Sequence, residues 1–261
     1  RSPNPESPIP NPLSDIVVIM TDYAALASTL AEALGPLRPV AVAYLNAPPA
    51  GVTRFSGTTP SGCSFWRLAS DGPGFYTVPS DHFNCPIGSY THAIDLPADR
   101  AVELAETLSL MAGIGYVRME EVPSIPRLSQ QPACIYYAPL AATVVDPDVV
   151  IFAGRPAPLM RLQETSAAAG AASTLPLLGR PTCMALPAAM AHGSVMSSGC
   201  IGNRVYTGLG DDELYLMIPG PRLADVVAQL PRIVGANSTL AEHHRGRRAA
   251  LSVNSGSGST P

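Results

Sequence analysis

Apolar and polar positions along this chain follow two periods, and the switches between them mark its elements. Residues 23–34, YAALASTLAEAL, are small and apolar at helical spacing, with Asp22 placed to cap the first turn and Gly35 to stop it. PVAVAYL (39–45) is short, β-branched and bounded by prolines, which predicts a buried strand. ADRAVELAETLSLM (98–111) puts Val102, Leu104, Ala105, Leu108 and Met111 near one face and is predicted helical. ACIYYAPL (133–140), DVVIFA (148–153) and ELYLMI (213–218) read as strands. Pro156 opens a predicted helix that ends near Gly170, and two more, RLADVVAQL and TLAEHHRGRRAAL, follow the last strand. Between these elements lie two turn-rich stretches, 61–92 and 181–208, read as loops. The mixture predicts an α+β (mixed α/β) fold.

Composition narrows the field. Of the residues 46% are apolar, enough for a sizeable core, whereas only 14% are charged and 28 are proline, which favours short strands and many loops. All 16 basic residues are arginine, so a Schiff-base lysine and a lysine-bearing phosphate loop are excluded. A net charge of −4 without a basic face argues against nucleic acid, and no run approaches the roughly 20 apolar residues of a membrane helix. RSPNPESPIPNP lacks the regions of a signal peptide, so the expected location is the cytoplasm, with its cysteines reduced. Residues 13–252 are expected to form one globular domain, flanked by disordered segments 1–12 and 253–261.

Four of the five cysteines fall in the two turn-rich stretches. The order strand, Cys, Cys-(Pro)-Ile-Gly, Tyr-Thr, Pro, helix recurs. PVAVAYL, Cys63, Cys85 and LPADRAVELAETL stand in the first copy; PACIYYAP, Cys183, Cys200 and IPGPRLADVVAQL stand in the second. The copies, about 36–112 and 132–232, suggest two pseudo-duplicated halves about a pseudo-twofold axis, each contributing a cysteine-rich loop. The internal spacings are 22 and 17 residues, so the match needs gaps, and DVVIFAGRPAPLMRL reads as an insertion. Cysteine is among the most buried residue types, and Cys134, inside a strand, is assigned to the core. The other four sit in polar-flanked loops, where core thiols are less expected. No C-x₂-C knuckle, dinucleotide fingerprint, nucleophile elbow or H-E-x-x-H helix occurs.

The neighbours add chemistry. His82, Tyr90 and His92 surround Cys85, and His192 lies between Cys183 and Cys200. These four are the candidate proton-moving residues, although loop histidines more often bond the backbone. Trp66, Arg67, Asn203 and Arg204 are candidates for holding a substrate. Either arginine could instead pair with Asp81 or Asp95, and the aromatics could belong to a plain core.

PSGCSFW, FYTVPSDHFNCPIGSYTH, MAGIGYVRMEEVPSIP, LPLLGRPTCMALPAAMAHGSVMSSGCIGNRVYTG and LAEHHRGRR together span most of residues 36–251. In these words the chain resembles the prokaryotic family called domain of unknown function 169. The resemblance implies oxygen-sensitive metal or tetrapyrrole chemistry and carries no residue roles. The leading expectation is a [4Fe–4S] cluster held by three or four of Cys63, Cys85, Cys183 and Cys200. With three ligands, an open iron would serve redox, Lewis-acid or sulfur-transfer chemistry on a small molecule. A zinc site, a tetrapyrrole-binding protein without turnover and a thiol enzyme using Cys85 or Cys200 at low pKa stay open, as does a homodimer.

Overall fold

The computed structural model describes residues 21–254, with no side-chain description for 252–254. The expected disordered segment 1–12 and most of the expected tail lie outside the described residues. Seven strands form one sheet in the order β2-β3-β4-β1-β5-β7-β6. These are β1 (Val40–Leu45), β2 (Thr53–Arg54), β3 (Phe75–Thr77), β4 (Cys134–Pro139), β5 (Val149–Gly154), β6 (Val195–Ser197) and β7 (Leu214–Pro219). The β2–β3 pair is parallel and every other pairing is antiparallel, so the sheet is mixed within an α+β fold.

The long strands are apolar at every position because both faces are covered. One face carries Val40, Val42, Ile135, Tyr137, Val149, Ile151, Tyr215 and Met217, packed against α2 (Ser64–Asp71) and α6 (Ala185–His192). Ala41, Val150, Phe152, Leu216 and Ile218 point the other way, onto α1 (Tyr23–Leu34), α5 (Pro156–Ala168) and the start of α8 (Leu223–Asn254). Asp22 accepts from the Ala25 amide at 2.9 Å, the cap expected for α1. Leu30, Leu159, Leu162, Val226 and Leu230 are fully buried in that layer. Each such side chain contributes about 1.5–3 kcal/mol by leaving water.

Several expectations are corrected. The turn-rich stretches are not loops throughout. The first holds α2, β3 and α3 (Pro86–Thr91), and the second holds α6, β6 and α7 (Ile201–Thr207). Short amphipathic pieces such as SFWRLASD bury Phe65, Trp66 and Ala69 on the sheet, a tertiary gain that local turn signals conceal. The two helices expected after β7 are one 32-residue helix, α8, that passes through Pro231 and runs to Asn254, into the expected tail. The predicted stripe of α4 (Ala98–Gly113) does form a helix, but none of its residues is buried.

The strands expected as equivalents, 39–45 and 133–140, are instead neighbours, with Val42 opposite Tyr137. The segment expected as an insertion supplies the interior strand β5, antiparallel to the central strand β1. Register recurs differently. Tyr137 lies between Val42 and Phe75, and Met217 lies between Ile151 and Val195. In both outer regions a cysteine leads into an eight-residue helix, then a three-residue strand, then a second cysteine at the start of a short helix.

Candidate functional site

Four cysteines converge on the face of the sheet covered by α2 and α6. Cys63 stands just before α2 and Cys183 in the turn before α6, each 6% exposed. Cys85 and Cys200 stand immediately before α3 and α7 and are half-buried. All are free thiols. Burial pushes the Cys63 thiol well up, and the neighbouring Cys183, Cys85 and Cys200 push it further. Cys183 rises through burial and then through Cys85 and Cys200. Cys85 is raised by burial and by Cys200, against the amides of Gly62 and Gly88, which favour its thiolate. A Cβ on Gly88 would sit 2.8 Å from the Cys85 sulfur, so close approach of the backbone to this thiol needs glycine there. Thr182 Oγ1 accepts from the Cys200 amide at 2.5 Å, tying the second loop to the turn that bears Cys183.

Both loop histidines near Cys85 are buried and neutral. His82 Nε2 lies 2.8 Å from Thr77 Oγ1, whose hydroxyl donates to the Ile135 carbonyl, so the imidazole proton is assigned to Nε2. Burial, and then His92, pull its pKa down to about 3. His92 Nδ1 lies 2.7 Å from the Gly88 carbonyl; a carbonyl only accepts, so Nδ1 carries the proton. Burial lowers His92 to about 4, against the supporting Gly88 carbonyl. Its Nε2 is thereby a bare acceptor, buried and without a partner.

That nitrogen has company. The hydroxyls of Tyr44 and Tyr137 and both polar atoms of the Asn203 side chain are also buried without a hydrogen-bond partner among the described residues. Tyr137 is raised by burial and then by Cys63, Cys85 and Cys183; Tyr44 by burial and then by Tyr137, Asp148 and Cys183. The Tyr44 and His92 rings lie 5.6 Å apart. The Asn203 carboxamide is close enough to Cys63 to ease its ionisation without a well-formed bond. Four thiols, two phenols, an imidazole and a carboxamide therefore share one buried locus. Each unsatisfied group costs on the order of 1–3 kcal/mol, which a polar occupant would recover.

Other candidates lie elsewhere or have structural tasks. Tyr90 donates to the Val122 carbonyl at 3.3 Å, under the Arg127 guanidinium. Arg204 donates to the carbonyls of Gly210, Ser198 and Glu213 at 2.6–2.9 Å, locking the loop that follows α7. His192 ends α6 and lines a cavity of about 430 Å³ with Asp148 and Arg222, where no cysteine takes part. Trp66 and Arg67 line a different cavity, of about 350 Å³. Tyr44 and Tyr137 stand out in the structure and not in the sequence. Their only signal was a polar-tipped residue within an apolar strand.

The iron–sulfur expectation is overturned. Among the described residues no group of three or more His, Cys, Asp or Glu side chains is placed to hold a metal ion. Ligation requires several sulfurs about 2.3 Å from one centre, a stricter condition than the proximity these thiols show. The open-iron chemistry falls with it. The low-pKa cysteine expected at Cys85 is likewise corrected, since burial raises that thiol. No helix among the described residues is long and apolar enough to cross a membrane.

A family model described as uncharacterised ArCR matches residues 29–229, which include all four loop cysteines. No curated protein and no solved structure matches the chain.

Proposed function

The chain belongs to the domain of unknown function 169 family, which specifies no activity, and from the site itself we propose that the protein performs thiol–disulfide exchange on a small molecule. The observation that carries this reading is the gathering of four free thiols beside orphaned polar groups. Cys85 and Cys200 are its reactive pair, being the half-buried members and electrostatic neighbours. Cys85 attacks one sulfur of a small disulfide. One thiol leaves and takes up the proton released by Cys85. Cys200 then attacks the Cys85 sulfur of the mixed disulfide, and the second thiol departs with the second proton. The substrate gains two electrons and two protons, the protein keeps a Cys85–Cys200 disulfide, and an external dithiol returns it to the reduced form.

The surroundings support these roles. The Gly62 and Gly88 amides favour the attacking thiolate, and the bare His92 Nε2 is suited to accept a hydrogen bond from the substrate. Tyr44, Tyr137 and Asn203 are suited to hold the polar part of the substrate. The repeated register about β1 and β5, with the repeated order of cysteine, helix, short strand, cysteine and short helix, supports a duplicated origin for the two halves. In that reading β1 corresponds to β5 and β4 to β7, and Cys85 and Cys200 are equivalents facing each other across the pseudo-axis.

Hydroxyethyl disulfide is the test substrate, with peptide mass mapping as the readout. The expected result is a protein lighter by two hydrogens, with Cys85 joined to Cys200, and a stable mixed disulfide on Cys85 in Cys200→Ser. Absence of modification at Cys85, or reaction no faster there than at Cys134, would overturn the proposal.

A further inference from the structure

The cavity of about 350 Å³ beside α2 is lined by none of the cysteines and belongs to no step proposed above. Its floor is aromatic and aliphatic. The Trp66 ring meets the Tyr215 ring edge-on at 5.6 Å, and Val40, Ile151 and Leu209 complete the apolar wall. Its rim carries two guanidinium groups, Arg38 and Arg67, with side chains 68% and 58% exposed. Both lean on the one carboxylate of Asp71, Arg38 at 2.5 Å from Oδ1 and Arg67 at 2.9 Å from Oδ2. Asp71 and Glu213 balance the two cations in charge, while the guanidinium N–H groups not used on Asp71 remain as donors at the mouth. The other carboxylate there, Glu213, is turned onto the Gly210 amide at 2.9 Å. A concave cleft with an aromatic floor and a few convergent polar groups is a common form of small-molecule site, and a volume near the lower end of the usual range suits a compact ligand.

We infer that this cavity binds a small organic monocarboxylate. Its carboxylate takes the N–H donors that Arg38 and Arg67 do not spend on Asp71, and its apolar body rests on Trp66 and Tyr215. The assignment is independent of the thiol chemistry.

Trp66 is the chain's single tryptophan, so its emission reports on this cavity alone. Titration uses cyclohexanecarboxylate, which does not absorb with indole, and its neutral isostere cyclohexanecarboxamide. The expected result is a saturable emission change with the carboxylate at millimolar or lower concentration, with at least ten-fold weaker response to the carboxamide. Arg38→Gln and Arg67→Gln, both at exposed positions, are each expected to weaken the carboxylate at least ten-fold, with circular dichroism confirming the fold. The wild-type comparison of the two ligands stands even if a variant misfolds. No saturable change, equal response to carboxylate and carboxamide, or undiminished binding in both folded variants would overturn the inference.

Discussion

Acidification should unfold this protein through two histidines before most carboxylates titrate. His82 and His92 are buried and held neutral, with pKa values down to about 3 and about 4 against an ordinary 6.5. In the unfolded chain both bind protons as pH falls through 6.5, while in the folded chain neither does until pH nears 4. Stability is therefore complete above pH 6.5 and is lost as pH falls through the window from 6.5 to about 4. One unit of pKa difference is worth about 1.4 kcal/mol, so at pH 5 each histidine removes ~2 kcal/mol and the pair ~4 kcal/mol. That is a large part of the roughly 5–15 kcal/mol that stabilises an ordinary domain. Asp148, raised by burial, acts in the opposite sense as pH falls. The assay is urea unfolding at intervals from pH 7.5 to 5, for the wild type, His82→Gln, His92→Gln and the double variant. The wild-type slope should approach ~2.7 kcal/mol per pH unit at the acidic end, halve in each single variant and nearly vanish in the double. A flat wild-type profile, or a double variant as steep as the wild type, would refute the reasoning.

Tyr137→Phe removes a hydroxyl that has no partner, so the folded protein should keep its Tm or gain slightly by calorimetry, while reaction with hydroxyethyl disulfide slows. Gly88→Ala should hinder the approach of backbone to the Cys85 sulfur, lowering the reactivity of Cys85 in mass mapping while Cys134 labelling stays unchanged. Gly220→Ala should destabilise by more than about 3 kcal/mol in urea, because the added Cβ would collide with the Pro147 carbonyl through rigid backbone. Asp22→Ala should remove the cap of α1 and cost about 1 kcal/mol in the same assay.

The chain's own pattern determined most of its regular elements. Short apolar runs became β1, β4, β5 and β7, since a strand covered on both faces must be apolar throughout. Asp22 and Gly35 bounded α1 because capping and chain reversal are local events. The grouping of Cys63, Cys85, Cys183 and Cys200 was legible too, through their repeated settings. What those settings could not reveal was pairing and depth. Which strands are neighbours depends on register across the sheet, and that set β5 inside the sheet beside β1 rather than in an insertion. Tyr44 and Tyr137 look like ordinary strand residues, and only the closing of α2 and α6 over that face strands their hydroxyls beside the thiols. Arg204 and His192 looked equal to Asn203 as site candidates. Packing turned the first onto loop carbonyls and the second into another cavity, and left Asn203 buried near Cys63. Local free energies select elements. Burial and the geometry of distant contacts determine which polar atoms meet, and those depend on the whole chain at once.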